Sequence, residues 1–175
     1  MLRATTVIRR PDMAGKIAFD TITLDRASRW RRRIALKTDR GQDMLLDLPE
    51  ATYLADGDGL ALADMRIVKV VAAAEPLLEI QAHSGPELAR IAWHIGNRHT
   101  ACEVTAKALY IQPDHVLEAM VIGLGAHVHH VTRPFEPEGG AYGSKGPLKE
   151  SHHHGHGHSH DHEHAQDHHH GIQKN

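Results

Sequence analysis

A single cysteine, Cys102, excludes an intramolecular disulfide and any cysteine-built zinc finger or ribbon. Aromatic residues are only 4% of the 175-residue chain, so a core must be assembled from Leu, Ile, Val, Ala and Met. The formal net charge is -2 with histidine neutral, which gives no overall pull toward nucleic acid or an anionic membrane. No apolar run reaches the length of a membrane span, and the opening MLRATTVIRRPDMAG has no signal-peptide core. These shortages point to a soluble protein of a reducing compartment, with the cytoplasm as the expected location.

Histidine is what the chain has in excess. There are 18, and eleven fall in the segment 152–170, HHHGHGHSHDHEHAQDHHH. They are His152, His153, His154, His156, His158, His160, His162, His164, His168, His169 and His170. Imidazole suits nickel, copper and zinc, and the small spacers Gly155, Gly157 and Ser159 let neighbouring rings close on one ion. Asp161, Glu163 and Asp167 can add oxygen ligands. Such a tract offers many overlapping sites of low selectivity that take Cu(II) at least as readily as Ni(II). Protons compete for the same nitrogens, so occupancy must fall in mild acid. From about residue 143 no apolar pattern survives past Leu148, so 143–175 is expected to be disordered without metal.

Ahead of that tail, two patterns alternate. TTVIRR (5–10), KIAFDTITL (16–24), RRRIALKT (31–38), DMLLDL (43–48) and MRIVKVVAA (65–73) read as strands. Turn residues at 39–42 and 56–59 separate some of them. Residues 1–75 therefore read as a small β-rich domain, with Glu75-Pro76 as the joint. PLLEIQAH (76–83) reads as a further strand. Ser84 can then cap a helix with Pro86 in its first turn and Leu88, Ile91, Ala92 and Ile95 along one face. TACEVTAKALYIQ (100–112) suits a strand pair turning near Thr105–Lys107. Asp114 can cap a second helix with Val116, Leu117, Met120, Val121 and Leu124 inward, and AHVHHVTRPF (126–135) ends the series as a strand. The order β-α-β-β-α-β is that of a ferredoxin-like unit over 76–142. The fold class is α+β: a β domain, a ferredoxin-like domain and a histidine-rich tail.

Seven histidines remain in the body. His99 follows the end of the first helix and His115 opens the second; on spacing alone, a lone exposed histidine is more often ordinary than a ligand. His94 lies beside Trp93 as a packing or surface residue. His127 and His129 share one strand face and could pair on one metal while His130 points away. An exposed strand end without metal accounts for them equally well.

Three motifs carry a resemblance: Trp93-His94-Ile95-Gly96-Asn97-Arg98-His99, Asp114-His115-Val116-Leu117, and the segment PFEPEGGAY (134–142). With the histidine-rich tail behind them, they resemble the urease accessory protein E family of nickel metallochaperones. LADGDGLAL followed by RIVKVVAA is similar to the family's first domain, so the likeness covers nearly the whole chain. It implies a β domain joined to a ferredoxin-like metal-binding domain. It also implies a homodimer in which the histidine matching His99 lies at the twofold interface and two chains together hold one metal ion. His115 matches a further ligand of some members; others have a histidine two residues earlier, where this chain has Pro113. The implied partners are apo-urease and a urease preassembly complex containing a GTPase. This chain has no GxxxxGK[ST] loop of its own.

Other readings compete. The tail alone suits a buffer or store for zinc, copper or nickel. Arg26, Arg29, Arg31, Arg32 and Arg33 around Trp30 could meet nucleic acid, but consecutive arginines on a strand point to both faces and fit a solvated basic edge. Neither nucleic acid nor a membrane is expected as a partner. No HExxH helix exists and Cys102 has no activating arrangement, so an enzyme is not expected; Cys102 suits a core position.

Overall fold

Residues 1–139 are described in a computed structural model of the chain, and they form two sheets joined at 72–74. The first has six strands: β1 (Leu2–Ile8), β2 (Asp20–Leu24), β3 (Trp30–Lys37), β4 (Asp43–Tyr53), β5 (Gly59–Leu62) and β6 (Ile67–Ala72). Their order is β2-β6-β5-β1-β4-β3, parallel between β1 and β4 and between β2 and β6, antiparallel elsewhere. Alternation along β4 buries Met44, Leu46 and Leu48, which join Ile22, Leu54, Leu60, Val68 and Val70 in one aliphatic core.

Two sequence expectations need correction here. β2 begins at Asp20, not Lys16, and Ile17 is almost fully exposed. Pro11 opens a 3-10 turn over Arg10–Met13 and Gly15 takes φ +75, so the chain is still turning where alternation suggested a strand. GLAL, residues 59–62, is a strand of its own, reached through Gly57 at φ +85. The buried carboxylate of Asp58 holds that corner by accepting from Arg9 Nη1, the Arg10 amide and the Ala55 amide.

The second sheet contains β7 (Ala74–Gln81), β8 (Glu103–Val104), β9 (Leu109–Ile111) and β10 (His127–Pro134), in the antiparallel order β10-β7-β9-β8. With α1 (Gly85–Gly96) and α2 (His115–Gly123) between strands, this is the ferredoxin-like β-α-β-β-α-β arrangement. Both helix starts are written in the sequence. Ser84 accepts from the Glu87 amide ahead of Pro86, and Asp114 accepts from the Val116 and Leu117 amides. Ile91 and Ile95 of α1 and Leu117 and Val121 of α2 are each four apart, and they close on Leu78, Ile80, Leu109 and Ile111. Val116 is exposed, contrary to the sequence reading, because it stands one position off that stripe. Cys102 packs against this core, and burial pushes its thiol up to about 11, with the nearby Glu138 and Glu103 carboxylates adding to the shift.

The two sheets meet around Arg29, at the end of a 3-10 turn over Arg26–Arg29. This side chain is fully buried, not part of a solvated edge, although β3 itself is an edge strand and Arg32 and Arg33 are exposed. Its guanidinium donates to the Phe135 carbonyl and the Glu136 carboxylate and lies over the Tyr53 ring, 5.1 Å from its centroid. Glu136 also accepts the Asp56 amide, and its own amide donates to Glu103, which takes Arg133 on its other oxygen. Glu75 adds a second tie, accepting the Arg26 amide on one oxygen and Gln112 Nε2 on the other. Burial raises the Tyr53 phenol to about 12. PFEPEG of the third motif is therefore a structural clasp; Gly140, Ala141 and Tyr142 lie outside the described residues.

Glu136 is partly exposed, but removing it leaves the fully buried Arg29 guanidinium without its carboxylate. Glu136→Ala is expected to lower the unfolding free energy by about 2 kcal/mol in urea denaturation; a change within error would show that the clasp carries no stability. Cys102, short of thiolate, should react with iodoacetamide at pH 8 at least roughly tenfold more slowly in the native protein than in urea.

Candidate metal centre

His99 owes its position to the way α1 ends. Asn97 closes the helix with its amide on Trp93 O at 3.0 Å, and the next two amides turn more tightly. Arg98 N donates to Ile95 O and His99 N to Gly96 O. Arg98 also folds back, its Nη1 donating to His94 O at 2.8 Å. His99 then takes φ +54, the left-handed region that L-residues with a Cβ enter at a cost of about 1 kcal/mol. Glycine would fit this backbone better, yet an imidazole occupies it, exposed to solvent.

Across from His99 lies the entrance to α2. Arg98, His99, Thr100 and Ala101 form one wall of a cleft of about 390 Å³, and Gln112, Pro113, Asp114 and Leu117 form the other. Two of the three motifs, 93–99 and 114–117, thus face each other across the cleft. Gln112 is braced by Glu75, and Asp114 by its capping bonds. Pro113 presents no ligand where its ring lines the cleft. His115 is the exposed first residue of α2, next to Asp114 but not among the residues lining the cleft. Among the described residues, no three His, Cys, Asp or Glu side chains converge as a ready-made metal cage. One chain offers at this cleft a single imidazole with free space around it.

The remaining body histidines divide among several settings. His94 lies edge-on to the exposed Trp93, ring centroids 5.0 Å apart. His127 and His129 share a face of β10, but the ring that His127 meets belongs to His83, with the two Nε2 atoms 3.2 Å apart. His83 was passed over in the sequence as the end of a strand; pairing of the first and last strands of the unit brings it there. His130, on the opposite face, bonds Glu118 of α2 at 2.9 Å. The eleven tail histidines, His152 to His170, lie outside the described residues.

Comparison with known proteins agrees with this architecture. Residues 5–73 match the family model of the UreE urease accessory protein N-terminal domain, and residues 75–171 match that of its C-terminal domain. A urease accessory protein UreE of Bradyrhizobium sp. (strain ORS 278) is 50% identical over 155 residues, 89% of this chain and 71% of the relative. That of Chelativorans sp. (strain BNC1) is 47% identical over 155 residues, 89% of this chain and 96% of the relative. The protein of that name from Rhodobacter capsulatus is 43% identical over 152 residues, 87% and 94% of the two chains. With both halves matched and identity sustained over most of the length of these relatives, the chain belongs to the UreE urease accessory protein family.

Proposed function

We propose that this protein is a cytoplasmic nickel metallochaperone that binds Ni(II) through histidine and hands it to apo-urease during assembly of the urease active site. The observation that carries this reading is His99: an exposed imidazole held at φ +54 beside a cleft built from the family's motifs. In this reading two chains form a homodimer about that surface. Each contributes one His99 to a shared ion, and His115 is an auxiliary ligand. The division of the chain into a β domain over 1–75, a metal-binding domain over 76–142 and a tail over 143–175 belongs to the same proposal.

Two imidazoles fill only part of a nickel coordination shell. Water, a tail histidine or a ligand of the acceptor can take the open positions, whereas a closed four-ligand cage retains its ion. Delivery is then stepwise ligand exchange, with no bond of a substrate made or broken by the chaperone. The histidines of 152–170 act as a reservoir that raises the local nickel concentration, and they would also accept Zn(II) or Cu(II). Nucleotide hydrolysis in the preassembly complex falls to its GTPase, and neither nucleic acid nor membrane enters the scheme.

His99→Ala removes two ligands from a twofold site at once. In calorimetry on protein ending at Lys149, the tight nickel site should vanish in this variant; an unchanged tight site would overturn the assignment. His99→Gly should lose the same site yet be at least as stable as His99→Ala, by up to about 1 kcal/mol in thermal unfolding, because glycine relieves the left-handed backbone. Ending the chain at Lys149 should leave fold and dimer intact while removing most bound nickel equivalents in equilibrium dialysis. Unchanged stoichiometry would refute the reservoir role.

A further inference from the structure

His83 and His127 form a second histidine pair, away from the cleft. β7 and β10 are antiparallel with Gln81 opposite His127, so His83 lies two residues beyond the pairing position, diagonal to His127. Their rings are 4.7 Å apart between centroids and nearly perpendicular at 88°, with the Nε2 atoms facing each other at 3.2 Å. Both residues are exposed. The ends of two elements fix them: His83 directly precedes the Ser84 cap of α1, and His127 follows the turn at Gly125, φ +93, that closes α2.

Two imidazole nitrogens bound to one ion at about 2.0–2.1 Å stand roughly 2.9 Å apart at a right angle and about 3.3 Å apart in a tetrahedron. The observed separation lies between those values. Without an ion, two neutral rings can share only one N–H···N bond, and in an exposed position such a bond contributes little. An ion lets both lone pairs bond at once. The neighbouring groups leave these rings available. Glu79 is engaged by the Tyr110 hydroxyl at 2.8 Å, and His130 is occupied with Glu118 on the other face. His129 shares the His127 face, two residues further along the strand, as a nearby donor.

We propose that His83 and His127 constitute a second metal-binding site, taking a borderline divalent ion of the Ni(II), Cu(II) or Zn(II) class through two Nε2 atoms. Its remaining positions are open to water or to a further histidine. α1 separates it from the cleft: His83 precedes this 12-residue helix and His99 follows it, a span of about 18 Å along the axis. The pair cannot share an ion with His99 of the same chain. With two protein ligands and an exposed setting, it should bind more weakly than a three- or four-ligand site and exchange quickly. Such a site suits an intermediate holding point for an ion in transit.

The test uses the full-length chain titrated with nickel chloride. Diethyl pyrocarbonate labels free imidazoles, and peptide mass spectrometry reads each histidine separately, so the tail does not obscure the body. His83 and His127 should become protected together, with one nickel midpoint. His83→Ala should raise the midpoint at His127 at least about tenfold, and His127→Ala should do the same at His83. Protection of His99 should be unchanged in both variants. If neither residue is protected at nickel concentrations that saturate the tail, the site does not exist. If His127 keeps its midpoint in His83→Ala, the two do not share an ion. His99, followed in the same digests, reports separately on the cleft, so failure of either site is distinguishable from failure of the other.

Discussion

A guanidinium with no access to water must find its partners inside the protein, and at Arg29 those partners come from the far end of the described chain. The Phe135 carbonyl and the Glu136 carboxylate reach it across a separation of 106 and 107 residues, while Tyr53 covers its face. Unpaired, such a charge would be strongly destabilising, so its burial commits the two sheets to one another. Glu103 and Arg133 extend the clasp to β8 and β10, and Glu75 joins it to the wall of the cleft through Gln112. That wall is thereby tied to a polar network located mostly away from the cleft.

Within that frame, the proposed metal chemistry rests mainly on imidazole nitrogens. The one thiol is held protonated by its burial, so a soft, tightly retaining sulfur ligand is absent from the described body. Exposed imidazoles bind borderline ions and release them to protons or to competing ligands. His99 at the end of α1 and the His83–His127 pair before it place exposed imidazoles at both ends of one helix. Under the proposed function, an ion moves among open coordination shells and never enters a cage.

Local signals made much of this legible in the sequence. Ser84 and Asp114 announce helix starts because a cap is a contact over two or three residues, and the isoleucines of α1 repeat at the spacing that buries them. The ferredoxin-like order could be read from alternation and turn residues alone. The cleft could not, because it forms only when the end of α1 meets the start of α2. Ile17 looked like strand because alternation continues through a segment that Pro11 and Gly15 divert. Arg29 looked like surface because its partners are over a hundred residues away. His83 looked like a strand end because only the pairing of β7 with β10 supplies its neighbour. His99 gave no sign of its left-handed backbone, although the motif containing it identified the family.

Central to the proposed function is one nickel ion shared by two chains through His99. Native mass spectrometry of protein ending at Lys149, loaded with less than one nickel per chain, counts ions and chains in the same particle. The expected result is a dimer carrying a single nickel, reduced to metal-free dimer by His99→Ala. A monomer carrying its own nickel, or a dimer that keeps the ion in the variant, would contradict it.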